Sequence, residues 1–546
     1  MNTKKQILFF FITATTLLMS SCDKFLNVQP DNRVMIDTPT KVKQLLINAY
    51  PNANYSLLCE LSADNLIDLS APDSTITTSF TNLVAFDRMD DDIFAWKDVV
   101  ASGGNGDSPY DLWETYYQSI AAANAALQAI DEIIQKGGVS DADMNKILIP
   151  CKGEALILRA YSHFMLVNIF AKAYKDPIKS QSDQGIRYVT EPIDVVNSQA
   201  PRNSVAEVYD LIAKDIEAGI GLIDNNLYVS APKYHFNSSA AHAFAAQFYL
   251  FKRDYQKVVD NANAVLGANP ASVLRSWALN PTNPSECVNA YVDATNPANL
   301  LILPTYSVFY RRFFGYKYFY NGVAKKGSMN DGGPTWSSRP PFSAAWMWYF
   351  TSLSFYGTWN AKIYEFFEYT DRVAGIGYPH SVRTEYTTDA ALLDRAEAYI
   401  FLNQTDKAVA DLQMWNASHS GTRALTSDII TAFYTPGKPY FSYTFHNADM
   451  SSDFEVTPAQ KPFVDCVLHF RRLDRFFEGH RWFDIKRYGI ELTHRIGLSA
   501  TPNVLTYDDN RRAIQIPPDV VGAGVQPNPR LTMPAPSDMA VSRDEE

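Results

Sequence analysis

Apolar residues recur at helical spacing through most of the chain. Between residues 38 and 50 they stand at positions i, i+3, i+4 and i+7, with Thr38 as a cap and Pro39 at the first helical position. Ser204 and Glu207 form a capping box at the start of another helix. The same periodicity predicts helices over residues 112–134, 143–174, 204–222, 239–266, 392–417 and 464–488.

Two of these segments have the form of tetratricopeptide (TPR) helical pairs. Residues 239–270 contain a helix, a break at residues 252–254 and a second helix, with the small Ala246 where paired helices approach. Residues 392–417 repeat this format, and Pro150 is expected to kink or restart an earlier helix. The sequence thus predicts a mainly α fold, a TPR-like α-α superhelix.

The stretch between the two TPR-like pairs, residues 277–377, has a different composition. It is rich in Pro, Gly, Asn and aromatic residues and lacks long helical periodicity, although residues 300–306 suit a short strand. Nine of the fifteen residues in 306–320 are aromatic. We interpret this segment as a loop-rich aromatic insertion on the helical scaffold.

The N-terminal residues are typical of a secretory signal. Two lysines precede an apolar run, residues 7–18, which is shorter than the about 20 apolar residues that span a membrane. Two serines stand directly before Cys22, as in a bacterial lipobox, where the cysteine thiol is lipidated. We predict a signal peptide over residues 1–21, lipidation at Cys22 and one mature domain over 22–546. The alternative is an ordinary signal peptide with an accidental cysteine.

Composition and charge limit the classes of function. Hydrophobic residues make up 46% and charged residues 20%, which is a globular rather than a disordered balance. The net charge of −11, without a basic stripe, disfavours nucleic acid as a partner.

The sequence also predicts no metal site and no cofactor. The four cysteines after Cys22 are far apart, which disfavours a zinc cluster. They suit small buried positions, with one disulfide as the alternative. Residues 90–92 are three aspartates without the alternate spacing of a calcium loop, and we interpret them as a solvated loop.

The basic stretch near the C terminus brings Glu478, His480 and Asp484 close together, which suggests an active site. If this stretch is one helix, His480 and Asp484 lie at i, i+4, and Glu478 pairs with Arg481 at i, i+3. Gly479 would then mark a close helix crossing. We favour this structural interpretation over a catalytic or metal role. No carboxylate pair is spaced for glycoside hydrolysis and no serine-hydrolase motif occurs, so we predict that the protein is not an enzyme.

Five stretches carry a resemblance to a known family. They are Cys22-Asp23-Lys24-Phe25-Leu26, Glu154-Ala155 through Arg159-Ala160-Tyr161 to Ile169-Phe170, Arg395-Ala396-Glu397-Ala398-Tyr399, Arg471-Arg472-Leu473-Asp474 through Glu478-Gly479-His480-Arg481-Trp482-Phe483-Asp484, and Ile516-Pro517-Pro518 with Asn528-Pro529. These stretches resemble the motifs of the RagB/SusD family of Bacteroidetes outer-membrane lipoproteins. The chain departs from that pattern at Ala171, where the family has Gly, and at Asp474, where Glu is commoner.

The resemblance implies a surface lipoprotein of the outer membrane that binds oligosaccharides and passes them to a TonB-dependent transporter of the SusC type. In the RagB branch of the family the captured nutrient is a peptide, which is the alternative for this chain. A surface glycoside hydrolase is a third hypothesis, which the sequence disfavours. The resemblance further implies a scaffold of four TPR units, with the ligand held by a variable, loop-rich half.

The candidate ligand residues are aromatic side chains with polar neighbours. Sugar rings present flat C–H faces that stack on Trp and Tyr, while polar side chains bind the hydroxyls. In the family that the chain resembles, the N-terminal loop region also contributes, and there Trp96 is the strongest candidate because it lies in a polar stretch. The predicted ligand-binding residues are Trp96, Arg88, Asp64, Asn65, Trp277, Tyr306, Tyr310, Tyr316 and Trp336.

Overall fold

The structure is a computed structural model of the chain. It describes residues 35–71, 84–100, 106–192, 201–276, 284–312, 317–319, 332–336, 347–352, 355–419, 423–434, 443–451, 454–498 and 501–530. The predicted signal peptide over residues 1–21, the lipidation site at Cys22, and Trp277 and Tyr316 lie outside the described residues. Among the residues that are described, no helix combines the length and the apolar composition needed to cross a membrane.

Helices form the greater part of the described structure, as predicted. In chain order they are α1 Pro39–Ile47, α2 Ser56–Ser62, α3 Arg88–Phe94, α4 Pro109–Lys136, α5 Ile149–Phe170, α6 Val205–Gly219, α7 Ser238–Lys252, α8 Tyr255–Leu266, α9 Pro284–Val292, α10 Thr388–Phe401, α11 Thr405–Ser418, α12 Ser427–Phe433, α13 Lys461–Asp474 and α14 His480–Tyr488. Shorter helical turns lie at Asp141–Asp143, Phe309–Arg312, Asn447–Met450 and Pro518–Gly522.

The described strands form small antiparallel sheets. The strands are β1 Ile67–Asp68, β2 Asn299–Thr305, β3 Tyr318–Phe319, β4 Met347–Ser352, β5 Phe355–Asn360, β6 Phe366–Asp371, β7 Ile376–Thr387, β8 Leu492–His494 and β9 Asn503–Leu505. They pair as β1–β3, β2–β7–β6, β4–β5 and β8–β9. The predicted strand at residues 300–306 corresponds to β2, whereas the long strand β7 has no counterpart among the predicted elements.

The helix boundaries follow signals in the sequence. The Thr38 hydroxyl caps α1, and Ser204 opens α6 with a capping box. A π-helical turn, Met144–Leu148, precedes α5, and Pro150 lies in the first turn of α5. The backbone stays helical at both ends of this turn, so the irregularity predicted at Pro150 is a π-helical turn just before it and not a restart of the helix. Arg253, with a φ of 67°, ends α7 in a left-handed conformation, which allows α8 to begin two residues later.

Neighbouring helices of the chain pack against one another throughout the scaffold. Helix α4 packs on α5 and on α1, α5 on α6, α7 on α8, and α10 on both α8 and α11. Helix α13 then packs on α10 and α11. This succession of paired helices is the TPR-like arrangement that the sequence predicts.

A buried arginine ties α5 to the helices on either side of it. The Arg159 guanidinium donates from Nε and Nη2 to the two carboxylate oxygens of Asp215 in α6, at 2.7 Å each. Its Nη1 donates to Asn124 Oδ1 in α4 at 2.8 Å. Such two-pronged arginine–carboxylate contacts have a fixed geometry, so they set the register between the three helices.

The same cluster recurs in the C-terminal half of the scaffold. In α10, Arg395 donates from Nε and Nη2 to the Asp411 carboxylate of α11, at 2.8 and 2.7 Å. Its Nη1 donates to Asn263 Oδ1 of α8 at 2.7 Å. Both arginines stand before an alanine in the motifs singled out above, so the repetition visible in the sequence is also a repetition of contacts.

The prediction of one continuous helix over residues 464–488 is wrong. Helix α13 ends and α14 begins across a turn in which Phe477 and Gly479 have positive φ angles of 66° and 81°. A Cβ atom on Gly479 would lie 2.9 Å from Cys59 Cβ in α2. The close approach of another helix at Gly479 is therefore present, but it occurs at a helix start rather than within a helix.

This turn also changes the predicted ion pairs. Glu478 binds Lys362 at 3.1 Å and Arg475 at 2.6 Å. Arg481 instead binds Asp64 at 2.9 Å, so the predicted pair between Glu478 and Arg481 is wrong. The break in the helix removes the i, i+3 geometry on which that prediction depended.

Two smaller interpretations have opposite outcomes. The aspartates at residues 90–92 do not form a solvated loop, because they belong to α3 and Asp90 is buried against Arg312 at 2.7 Å. The interpretation of the cysteines is confirmed. The described cysteines are all buried and none of them is joined in a disulfide, namely Cys59, Cys151, Cys287 and Cys466.

Candidate functional site

Trp96 is a packing residue in this structure. It is 5% exposed and belongs to the hydrophobic core, so the premise that it has few apolar neighbours is wrong. Its Nε1 donates to the Ser62 carbonyl oxygen at 3.0 Å, and its ring stacks on His494 with 4.1 Å between centroids. These contacts leave almost none of the indole for a ligand.

The polar candidates near Trp96 take part in internal contacts or stand apart. The Asp64 carboxylate accepts from Arg481 at 2.9 Å, and Asn65 Oδ1 accepts from Arg472 Nε at 2.8 Å. Both residues therefore hold the C-terminal motif in place. Arg88 is exposed on the first turn of α3.

Trp336 lies away from the other aromatic candidates. It is half-buried, with its ring 5.8 Å from His469 and 5.9 Å from Phe470 of α13. Its Nε1 is buried and has no hydrogen-bond partner in the described part of the chain. These contacts place Trp336 against the scaffold rather than on an open surface.

A continuous row of rings lies on the sheet β2–β7–β6, and we call it the aromatic patch. Centroid distances along the row are 6.5 Å from Tyr306 to Tyr378, 6.3 Å from Tyr378 to His380 and 5.4 Å from His380 to Phe366. The row continues from Phe366 to Tyr364, with 4.9 Å between centroids, and ends at Tyr310, 6.1 Å from Tyr364. The aromatic patch consists of Tyr306, Tyr310, Tyr364, Phe366, Tyr378 and His380.

Strand register explains why these rings share one face. Phe366 pairs with His380 across β6 and β7, and Tyr378 is two residues from His380, so all three side chains project to the same side. Tyr306 directly follows β2, and its ring packs over Gly106, where an added Cβ would approach within 3.1 Å. The scaffold therefore holds the rings in a fixed order.

The patch is partly open to solvent and has polar groups among its rings. Tyr306 is 43% exposed and Tyr378 41% exposed, while the other four residues are half-buried. A hydrogen bond to Glu368 raises the pKa of Tyr378. Arg311 binds Glu365 at 2.6 Å beside the row. Aromatic faces with carboxylate and guanidinium groups beside them suit a ligand that has both apolar faces and hydroxyl groups.

Two polar atoms near the patch are left without partners. His380 Nδ1 and Glu365 Oε2 are buried and accept or donate no hydrogen bond among the described residues. Unsatisfied buried polar atoms are rare in folded proteins and often mark functional sites. A ligand hydroxyl that reached them would supply the missing hydrogen bonds.

The C-terminal motif that suggested an active site is a closed ion network. Asp484 accepts from Arg487 at 2.9 Å and from Arg471 at 3.3 Å, and both arginines also bind Glu397. Burial raises the pKa of Glu397, but the charges of Arg487 and Arg471 outweigh it and hold the pKa at about 2.

His480 of the same motif is also enclosed. Its Nε2 lies 2.6 Å from Arg475, and burial together with the Arg475 charge lowers the pKa of the imidazole well below its usual range. The adjacent cavity measures about 20 Å³, enough for a water molecule and too small for a substrate. This geometry supports the structural interpretation of the motif.

Sequence reasoning found two members of the patch and missed four. Tyr306 and Tyr310 were among the candidates, whereas Tyr364, Phe366, Tyr378 and His380 were not. The missed signal is the alternation of strand residues, since Tyr378 and His380 stand two apart within β7.

Comparison with known sequences gives the same family over most of the chain. The profile of the family described as "Starch-binding associating with outer membrane" matches residues 24–250, and that of the SusD family matches residues 313–519. SusD-like protein P38 of Formosa agariphila is 22% identical over 48% of this chain and 46% of its own length. SusD-like protein P2 of the same species is 25% identical over 73% of this chain and 75% of its own length. The chain thus spans about half the length of the first of these relatives.

Solved structures of similar shape come from the same group. A SusD superfamily protein of Bacteroides thetaiotaomicron superposes with a TM-score of 0.57 at 18% identity, over 90% of this chain and 100% of its own. A laminarin-binding SusD-like protein superposes with a TM-score of 0.52 at 14% identity, over 90% of this chain and 98% of its own. At these identities the similarity establishes the fold.

Proposed function

The chain belongs to the SusD/RagB family, and from this premise we propose that it captures oligosaccharides at the aromatic patch. We further propose that it is a surface lipoprotein anchored through Cys22 in the outer membrane, where it passes its ligand to a SusC-type transporter. The observation that carries the binding proposal is the row of six rings on and beside one face of the sheet, open at Tyr306 and Tyr378. The laminarin-binding relative of the same fold supports glycan over peptide as the ligand.

The chemistry of the patch favours a sugar chain. Successive ring centroids about 5–6.5 Å apart give a run of aromatic surface that several sugar units of one chain could contact. Each aromatic contact contributes roughly 1–3 kcal/mol, and the ordering of a flexible chain offsets much of that gain. We expect a dissociation constant of roughly micromolar to millimolar, which suits a protein that must release its ligand to a transporter.

We propose that the protein binds its ligand without cleaving it. Glu365, a carboxylate beside the patch, is paired with Arg311 through Oε1, and the histidine and carboxylates of the C-terminal motif are enclosed. Incubation of purified protein with the bound glycan should release no new reducing ends. Release that is lost in a Glu365→Gln or Glu368→Gln variant would show that the protein is a hydrolase.

The binding site is tested by a glycan and peptide array followed by calorimetry on the best ligand. Tyr378→Ala and Tyr306→Ala should each weaken binding at least tenfold, about 1.4 kcal/mol, because they remove the two most open rings of the row. The matched control is Tyr369→Ala. Tyr369 is 52% exposed on β6 but alternates to the opposite face, so its loss should leave binding unchanged.

Three results would change the proposal. Equal weakening by the control variant would mean that the face of the sheet is not specific. Unchanged binding in both patch variants, with circular dichroism showing intact folding, would place the site elsewhere. Binding of peptides but no glycans would favour the RagB-like alternative.

The anchoring proposal has its own test. A palmitate analogue fed to cells should label the wild-type protein in the membrane fraction. Cys22→Ser should abolish the label, and equal labelling of both would refute lipidation at Cys22.

A further inference from the structure

We propose that Asp389, His419 and Asp474 form a binding site for a divalent transition-metal cation, with zinc as the best-matched ion. One ligand atom from each residue lies within 4.8 Å of the other two, and all three residues are buried. Asp389 lies in the first turn of α10, His419 directly follows α11, and Asp474 ends α13. The site uses no residue of the aromatic patch, so it does not depend on the glycan proposal.

The hydrogen bonding of His419 directs one ring nitrogen toward the carboxylates. His419 Nδ1 lies 2.8 Å from the Trp415 carbonyl oxygen. A carbonyl can only accept a hydrogen bond, so Nδ1 carries the proton, and Nε2 of the neutral ring presents a lone pair. Nε2 lies 3.5 Å from Asp474 Oδ1. This carbonyl–histidine–metal order is the arrangement that orients histidine ligands in metal sites.

The distance between these two atoms matches a tetrahedral metal. Bonds of about 2.0–2.2 Å place two ligands of tetrahedral zinc about 3.4 Å apart. The separation of 3.5 Å between His419 Nε2 and Asp474 Oδ1 agrees with that value. The third ligand atom lies within 4.8 Å of the other two, so a shift of at most about 1.4 Å in the Asp389 carboxylate brings it to the same separation.

Asp389 supplies an independent indication of a missing partner. Its Oδ2 accepts from the Arg275 backbone N–H at 3.2 Å, while its Oδ1 is buried with no hydrogen-bond partner among the described residues. Asp389 is 2% exposed, so water does not compensate at the surface. A cation bound between the three side chains would satisfy this oxygen.

Two cationic side chains near the site are themselves paired with a carboxylate. Lys362 and Arg475 lie close enough to Asp474 to interact with its charge. Both also bind Glu478, at 3.1 and 2.6 Å, so that carboxylate balances part of their positive charge. The C-terminal ends of α11 and α13 add negative partial charge at the same point.

The ligand set distinguishes zinc from the alkaline-earth ions. Calcium and magnesium take oxygen ligands, whereas an imidazole together with carboxylates suits zinc and neighbouring transition metals. Because the three ligands come from α10, the end of α11 and α13, a bound ion would link these helices and stabilise the C-terminal half of the scaffold.

The site is tested on the full-length protein after treatment with a chelator. Zinc chloride is added in a calorimetric titration, and metal content is measured by mass spectrometry after dialysis. We expect one zinc ion per chain, with affinity at least tenfold weaker in Asp389→Asn and in His419→Phe. The control is His446→Ala, which removes a half-buried histidine that binds Asp449 at 2.8 Å and could hold zinc adventitiously.

Each outcome decides the proposal. Loss of zinc in the two site variants but not in the control supports it. No uptake by the wild type, equal uptake by all variants, or loss only in His446→Ala overturns it.

A second measurement covers the case in which the site variants fail to fold. Anomalous diffraction at the zinc edge, from wild-type crystals grown with zinc, should show a peak between the three side chains. Crystals with no peak there would overturn the proposal.

Discussion

Replacement of Trp96 by alanine should lower the stability of the protein and leave glycan affinity unchanged. The indole is 5% exposed, so the substitution removes a complete core side chain and leaves a cavity. Such changes cost about 3–5 kcal/mol in other proteins. The loss also leaves the Ser62 carbonyl oxygen without its 3.0 Å hydrogen bond, so we expect a value toward the upper end, about 4–5 kcal/mol.

Trp96→Phe separates the two contributions to this loss. Phenylalanine keeps a ring against His494, which lies 4.1 Å from the indole, but it donates no hydrogen bond. We therefore expect a smaller loss for this variant, about 1–2 kcal/mol. The free energy of unfolding is measured by urea denaturation, and glycan affinity is measured by calorimetry on folded protein at low temperature. A tenfold loss of affinity in Trp96→Ala with an unchanged urea midpoint would refute the packing argument and restore Trp96 as a ligand residue.

Three further substitutions test the scaffold. Gly479→Ala should lower the free energy of unfolding by more than about 1 kcal/mol, since Gly479 has a φ of 81° and is packed against α2. The control Gly221→Ala should not, because Gly221 has open space around it. Equal urea midpoints for the two variants would contradict this prediction. Arg395→Lys should cost about 1–3 kcal/mol, because lysine cannot make the two-pronged contact with Asp411, and a wild-type midpoint would refute it. Glu397→Gln should destabilise at pH 7. Because the folded-state pKa of Glu397 is lowered to about 2, the stability from its charge is present above about pH 4.5 and lost as the pH falls toward 2. The difference in free energy of unfolding between variant and wild type should therefore shrink over that pH range. A difference that does not depend on pH would contradict the lowered pKa of Glu397.

The helical scaffold could be predicted because its signals are local. The signals include the apolar spacing, the cap at Thr38 and the capping box at Ser204. Each acts within a few residues, and the structure confirms all three. The break between α13 and α14 could not be predicted in the same way. The apolar pattern continues through Phe477, and the turn is fixed by the contact of Gly479 with α2, which is distant in sequence.

The site was only partly predictable for a related reason. The density of aromatic residues pointed to the correct segment and to Tyr306 and Tyr310. Their partners come from β6 and β7, and only the pairing register shows that Phe366 and His380 lie on the same face. The ligands of the proposed metal site are likewise tens of residues apart, so no spacing rule could detect Asp389, His419 and Asp474.

The residues that identify the family and the residues proposed to bind ligand are different sets, and a physical reason separates them. Glu397, Arg471, Asp484 and Arg487 satisfy one another inside the protein, and removal of one partner would leave a buried charge at a cost of about 3–5 kcal/mol. Few alternatives fit such a network, so its sequence is restricted by folding. The rings of the aromatic patch are open or half-buried, so their replacement lowers stability less. These positions can therefore vary with the ligand that is bound. A motif of this kind therefore identifies the scaffold, and the ligand has to be inferred from the surface.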